Sequence, residues 1–198
     1  MPHDARPLTP PDGEQAARAN GYALLAGLLR SPPDAARLQA LAALETRAHP
    51  GDELGTALQL LGLAARQRNA EQVDDEFHDL FIGLGRGELV PYGSWYLTGH
   101  LMERPLAALR RDLAALGFQR QPHNRDPEDH AAALLEVMAQ LIEGGDDLAT
   151  QARFHRQHIA PWMSRFFDDL TTADSAVFYR AVGRLGIAFL ALEQGVLG

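Results

Sequence analysis

Helical periodicity, interrupted by proline and glycine residues, is the feature that most constrains how this chain can fold. In the last segment, apolar side chains recur every three or four residues for about five turns: Phe178, Ala181, Val182, Leu185, Phe189 and Leu192. Strand-like alternation, which has a period of two, is convincing nowhere along the chain. The sequence therefore predicts an all-α protein, a helical bundle of about eight or nine helices.

Changes in composition predict how this bundle is divided. Residues 1–13 contain four of the twelve prolines and little to bury, so we expect a flexible tail. Residues 117–126 are polar and lack periodicity, which is typical of a hinge or linker. We expect an N-terminal helical section over residues 14–116 and a C-terminal helical section over residues 127–198.

Capping residues predict where individual helices begin. Asp126 is the expected N-cap of a helix with Pro127 at its first position, and Thr172 is the expected N-cap of the final helix. Residues 100–116 predict another helix, with Leu101 among its apolar positions.

The composition also excludes several classes of protein. The chain has no cysteine, which excludes disulfides, thiolate metal sites and cysteine nucleophiles. A net charge of -8 argues against nucleic acid as the main partner and favours a cationic one. No stretch reaches signal-peptide character or the ~18 apolar residues of a membrane span. We therefore expect a cytoplasmic protein without membrane insertion.

Residues 71–105 combine an acidic amphipathic helix with an aromatic turn. The apolar face of the helix is predicted to be Val73, Phe77, Leu80, Phe81 and Leu84. Glu76 is expected to flank this face rather than lie on it. Pro91 then leads a cluster of three rings at a predicted surface turn: Tyr92, Trp95 and Tyr96. Such rings suit the binding of an apolar peptide, although they could also close the core between two helices.

Two groups of residues carry a resemblance to a known family. The first comprises Glu76, Leu80, Phe81 and Gly83, followed by Pro91, Tyr92, Ser94 and Tyr96. The second comprises Pro127, Glu128, Asp129 and His130, followed by Leu134, Leu135 and Met138. Together with Phe154, His158 and Trp162, these residues resemble the motifs of the TorD/DmsD/NarJ family, which are cytoplasmic chaperones for the maturation of molybdenum-containing redox enzymes.

The resemblance implies a TorD-like helical fold without catalytic residues or a resident cofactor. It implies binding of the twin-arginine signal peptide and the apo form of a molybdopterin-dependent oxidoreductase, which assists cofactor insertion and delays export. Guanine-nucleotide binding is associated with some of the family, and the resemblance extends at most to a weak association here, because the sequence has no recognisable phosphate cradle. The resemblance is compatible with a monomer or with a homodimer formed by exchanging the C-terminal section. The implied peptide-binding residues are Glu76, Leu80, Phe81, Pro91, Tyr92, Ser94, Trp95, Tyr96, Glu128, Asp129 and His130.

Asp129 and His130 offer chemistry that fits such a peptide. A carboxylate can accept a charge-assisted, bidentate pair from an arginine guanidinium, and the imidazole can add a hydrogen bond. The alternative is structural, because carboxylates at a helix N-terminus also complement the helix dipole.

Two other classes of function stay open at this point. One is a small helical metal-binding protein or enzyme, since His155 and His158 could share one helix face. However, no third ligand lies at motif distance, and the glycines at 83, 85 and 87 do not have P-loop spacing. The other is a structural helical module without a client. Nothing in the sequence selects a particular client enzyme.

Overall fold

The computed structural model describes residues 13–48, 51–119 and 126–198. These residues form eleven α-helices and one π-helical turn, His155–Ile159, and contain no strand. The helices are α1 (Gly13–Arg30), α2 (Ala35–Ala42), α3 (Leu44–Arg47), α4 (Glu53–Arg66), α5 (Ala70–Phe81), α6 (Gly93–Thr98), α7 (Arg104–Ala115), α8 (Ala131–Glu143), α9 (Leu148–Phe154), α10 (Met163–Thr172) and α11 (Phe178–Leu197). The all-α prediction is confirmed, and the helices are more numerous because a break at Ala43 separates α2 from α3 and because α6 is additional.

The core is organised around α1, α8 and α11. Helix α1 packs along α8, while α11 packs against α4 and α10 and reaches α1. Tyr22 and Leu25, on the inner face of α1, are fully buried. Helices that precede residue 119 and helices that follow residue 126 therefore share one hydrophobic core. The predicted tail lies almost wholly, and the predicted hinge largely, outside the described residues.

A buried ion pair ties three of these helices together. The Arg18 guanidinium on α1 donates to Glu193 on α11 at 2.7 Å, and both residues are almost completely buried. Arg18 also donates to Gln151 on α9 at 2.9 Å, and the Tyr22 hydroxyl donates to Glu193 at 2.9 Å. Burial and the neighbouring carboxylate raise the pKa of Tyr22, so its hydroxyl stays a donor. Because a buried charge without its partner is costly, this network fixes how the helices align.

Glu76 holds the start of α11 from another helix. Its Oε1 accepts hydrogen bonds from the backbone N–H groups of Val177 and Tyr179 at 2.8 and 2.7 Å, and Oε2 accepts from Phe178 at 3.0 Å. Glu76 is only 7% exposed, so the expectation that it flanks the buried face of α5 was wrong. The prediction of Thr172 as the N-cap was also wrong, because Thr172 ends α10 and α11 begins at Phe178.

The boundaries near the aromatic turn also differ from those predicted. Helix α8 begins at Ala131, with His130 rather than Asp126 as its N-cap, because the preceding residues bond to another part of the chain. Residues 93–98 form a short helix, α6, that was not predicted. Leu84 and Leu101 lie outside helices and are exposed, since α5 ends at Phe81 and α7 begins only at Arg104.

We predict that Glu76→Ala lowers the free energy of unfolding by about 2–4 kcal/mol, because three backbone N–H groups lose their acceptor. Glu76→Gln should cost less, since its carbonyl oxygen can still accept. Urea unfolding followed by circular dichroism measures both effects. Asp75→Ala, at an exposed position on the same helix, is the control. A loss in Glu76→Ala no larger than in the control would contradict the role in α11.

Candidate functional site

The two groups of residues singled out in the sequence are in direct contact. The Ala131 N–H donates to the Pro91 carbonyl at 2.8 Å, and the Gly93 N–H donates to the Asp129 carbonyl at 2.9 Å. Between these bonds, Tyr92 and His130 form an antiparallel bridge, with their rings 4.9 Å apart and nearly perpendicular. The aromatic turn and the start of α8 therefore form one continuous structure, which we call the bridge.

Asp129 is the buried carboxylate of this bridge. Its Oδ2 accepts from the backbone N–H of Ser94 at 2.7 Å and so caps α6. The residue is 3% exposed, and its Oδ1 is buried without a hydrogen-bond partner among the described residues. A buried carboxylate oxygen in this state costs free energy that a donor from a ligand would recover.

Asp129 also lines a cavity of about 390 Å³ between α6, α7 and the π-turn. Apolar side chains form part of the lining: Leu97, Pro105, Ala108, Leu109, Leu134 and Trp162. Its polar lining comprises Arg111, Asp112, Asp129, Gln157 and His158. Gly93 lets this wall pack closely, because a Cβ there would lie only 3.0 Å from the Trp162 indole nitrogen and the ring would have to shift. An apolar cavity with a few convergent polar groups is typical of a ligand site.

The π-turn that borders the cavity is explained by a proline. Ala160 N–H bonds to the His155 carbonyl, five residues back, instead of four. Pro161 follows directly, and it has no N–H to offer and would crowd a regular helix. The wider turn carries His158 into the cavity wall. Such turns are frequent at functional sites.

His130 is a neutral cap rather than a cation. Its Nδ1 accepts from the Ala132 N–H at 3.1 Å, so this nitrogen carries no proton. Burial, and then the positive charge of Arg30, lower the pKa of His130 to about 4. The imidazole therefore stays uncharged near neutral pH and favours a positively charged ligand beside it more than an imidazolium would.

The three rings of the turn are partly exposed, and each contacts other side chains. Tyr96 packs 5.4 Å from Trp162 and 5.9 Å from Phe166, and its hydroxyl donates to Asp169 at 2.9 Å. Trp95 lies beneath the guanidinium of Arg86 at 5.1 Å. Both rings line a second cavity of about 510 Å³ on the other side of α6. The two uses considered for these rings, core closure and surface contact, thus occur together.

The other predicted site residues lie at varying distance from the bridge. Leu80 and Ser94 are fully buried, Pro91 is buried, and Phe81 packs against Tyr179 with ring centroids 5.4 Å apart. Glu128 forms an ion pair with Arg110 at 2.9 Å. Glu76 has both carboxylate oxygens bonded to α11. The structure thus joins the 91–96 residues to Asp129 and His130, and the peptide-binding role of every residue in the set stays a prediction.

Sequence reasoning missed the segment that follows α6. Leu97, Leu101 and Met102 are exposed apolar residues, with Met102 exposed by 71%. Met102 has a φ of 58°, the one positive value among the described non-glycine residues, and its N–H donates to the buried Ser94 hydroxyl at 3.2 Å. Backbone strain of this kind is often retained at functional sites. The sequence signal was Gly99, which ends α6 with a φ of 79°.

Two further properties concern the described residues as a whole. None of their helices combines the length and the apolar character needed to cross a membrane. Among the same residues, no three histidine, aspartate or glutamate side chains are grouped so that they could hold a metal ion.

Comparison with known proteins gives a related fold from one solved structure and the family from the sequence. A solved structure from Archaeoglobus fulgidus, of a chain assigned to redox enzyme maturation, superposes with a TM-score of 0.57 and covers 88% of this chain and 93% of that one. At 18% identity this likeness concerns the fold alone. The sequence model described as "Nitrate reductase delta subunit" matches residues 47–168. The chain belongs to this family, which includes the TorD and DmsD chaperones.

Several relatives have been named in that family. A chaperone protein TorD from Vibrio cholerae serotype O1 is 31% identical over 146 residues, which cover 68% of this chain and 66% of the relative. A chaperone protein TorD from Shewanella loihica is 29% identical and is covered over 93% of its length, with 92% of this chain. A chain from Haemophilus influenzae assigned as a Tat proofreading chaperone DmsD is 30% identical, covering 61% of this chain and 59% of that one.

We predict that His130 makes the stability of this protein depend on pH between about 6.5 and 4. Its folded pKa lies below its ordinary value of 6.5, so the unfolded chain takes up a proton there that the folded chain does not. The free energy of unfolding therefore falls as the pH drops through this window, by on the order of 3 kcal/mol from this group, and is unaffected by it above the window. The pKa of His155 is also lowered by burial and acts in the same direction.

Urea unfolding at a series of pH values tests this prediction. His130→Asn keeps an oxygen that can cap α8 but removes the titrating group, so its dependence on pH should be shallower than that of the wild type. His78→Asn, at an exposed position on α5, is the control and should keep the wild-type slope. An unchanged slope in His130→Asn would exclude His130 as the cause.

Proposed function

We propose that this chain is a chaperone for redox-enzyme maturation that binds the twin-arginine signal peptide of a molybdopterin-dependent oxidoreductase. The family and the names of the relatives support the chaperone class. The observation that carries the peptide assignment is at Asp129, a residue of the cavity lining whose Oδ1 atom is buried without a partner among the described residues. A guanidinium is the group best suited to satisfy it.

Charge supports the same kind of ligand. The net charge of -8 attracts a peptide with a basic leading region and speeds its association. His130 does not oppose it, because its lowered pKa keeps the imidazole neutral. Under this proposal, a guanidinium that enters the cavity donates to the buried Oδ1, while Oδ2 stays on the Ser94 N–H. Binding would therefore leave the cap of α6 in place.

The apolar part of the peptide has an adjacent surface to contact. Leu97 lines both cavities beside α6, and Leu101 and Met102 extend the exposed apolar area. Methionine adapts its shape to different partners, which suits a surface that must accept a sequence rather than one shape. Under this proposal, the basic residues enter the cavity and the hydrophobic stretch lies over the segment that follows α6.

The wider cycle belongs to the same proposal. The chaperone would act in the cytoplasm, hold the apo-enzyme during cofactor insertion and delay its export. A homodimer that exchanges C-terminal sections would need the connector at residues 117–126 to open. Guanine nucleotide would at most be a weak additional ligand.

Isothermal titration calorimetry with a synthetic twin-arginine signal peptide tests the proposal. We expect a dissociation constant of about 1 µM or tighter for the wild type. Asp129→Asn should weaken binding by about 10- to 100-fold, since it removes a charge-assisted bond in a buried position. The asparagine oxygen can still accept from Ser94, so the fold should be retained.

Matched controls separate this effect from net charge. Asp75→Asn makes the same change of charge at an exposed position on α5 and should bind like the wild type. Equal affinity in Asp129→Asn and the wild type would remove Asp129 from the site. If folded wild-type protein gave no heat with a panel of such peptides, a structural module without a client would be the better description.

A further inference from the structure

A second carboxylate lines the cavity that contains Asp129. We propose that Asp112 is a specificity-determining residue, and that the two consecutive arginines of the peptide bind separately, one to Asp129 and one to Asp112. This inference rests on the proposed function and goes beyond it, because Asp112 belongs to neither of the two main motif groups. The case for Asp112 rests on its place in the cavity wall.

A histidine fixes the position of the Asp112 carboxylate. Asp112 Oδ2 lies 2.7 Å from His158 Nε2, and the two atoms share a hydrogen bond. The His158 ring packs 5.0 Å from Phe154, and its carbonyl accepts from the Trp162 indole at 2.8 Å. The His158 side chain is only 8% exposed. An imidazole held in this way orients the carboxylate before any ligand arrives, which reduces the entropic cost of binding.

The two carboxylates lie at different depths. Asp129 is 3% exposed, whereas the side chain of Asp112 is 45% exposed. Asp129 therefore forms the floor of the cavity and Asp112 its rim. The cationic side chain in the same lining is Arg111, which is exposed and adjacent to Asp112 on α7. Among the described residues, the cavity lining thus contains two carboxylates, Asp112 and Asp129, and one guanidinium, that of Arg111.

Two acceptors at different depths fit two neighbouring arginines better than one. Asp129 has only one carboxylate oxygen without a partner among the described residues, so a second guanidinium needs a different acceptor. One would enter to the floor, and the other would remain at the rim. Arginine is favoured over lysine at both positions because its planar fork matches a carboxylate and lysine is a point charge.

A thermodynamic cycle measured by calorimetry tests the pairing. Wild type, Asp129→Asn and Asp112→Asn are each titrated with the twin-arginine peptide and with two peptides in which one or the other arginine is glutamine. We expect Asp112→Asn to weaken the twin-arginine peptide about 3- to 10-fold, a smaller effect than at the buried Asp129. The same substitution should have little effect on the peptide that already lacks its partner arginine.

In this cycle, each of the two carboxylates should couple to a different arginine of the peptide. If both coupled to the same arginine, or if Asp112→Asn weakened all three peptides equally, the inference would be overturned. Asp75→Asn, at the exposed position on α5, makes the same change of charge away from the cavity and should leave binding unchanged. His158→Gln should reproduce part of the Asp112→Asn loss with the same arginine preference, because it frees the carboxylate.

The outcome also separates this inference from the proposed function. If the wild type did not bind the twin-arginine peptide, the proposed function itself would fail. If the wild type and Asp112→Asn bound it equally while Asp129→Asn did not, only the second contact would be excluded. Thermal unfolding of each variant verifies that the comparison is between folded proteins.

Discussion

The bridge between Pro91–Gly93 and Asp129–Ala131 is the interaction on which the rest of the site depends. Two backbone hydrogen bonds and one ring contact hold it together. Because the bridge sets Asp129 beneath the start of α6, one carboxylate oxygen accepts from the Ser94 N–H and the other is buried without a partner among the described residues. Because the bridge positions His130, the same residue caps α8 and stays uncharged. This short contact thus positions the buried carboxylate of the cavity, the start of α6 and the neutral imidazole of His130.

The polar residues of the family motifs contribute to the fold as well as to the site. Glu76 supports α11, Asp129 supports α6 and His130 supports α8. Each compensates a helix N-terminus whose N–H groups would otherwise lack acceptors. A substitution at one of these residues therefore changes local stability together with any effect on a ligand. Only comparisons that keep the capping oxygen, such as aspartate with asparagine, separate the two.

The sequence predicted what depends on local pattern. The apolar face of α11 follows helical spacing, so this helix and most of its buried residues were predicted, although Leu192 of the predicted face is 40% exposed. The cap of α11 could not be predicted in this way, because Glu76 lies 101 to 103 residues before the N–H groups that it accepts from. Helix α6 has six residues, too few for a period to appear. The family motifs were visible as a resemblance. Asp112 has no neighbours in sequence that mark it, and only the folded structure places it in the cavity wall.

The packing of Trp162 against Gly93 has a practical consequence. The chain contains two tryptophans, and both lie at this end of the molecule, Trp162 in the wall of one cavity and Trp95 in the wall of the other. Tryptophan fluorescence, excited selectively at the long-wavelength end of protein absorption, therefore comes from the vicinity of α6. Intrinsic tryptophan fluorescence thus reports on this region without an attached dye. Local opening near α6 should change the fluorescence, whereas unfolding of the remaining helices should change the circular dichroism.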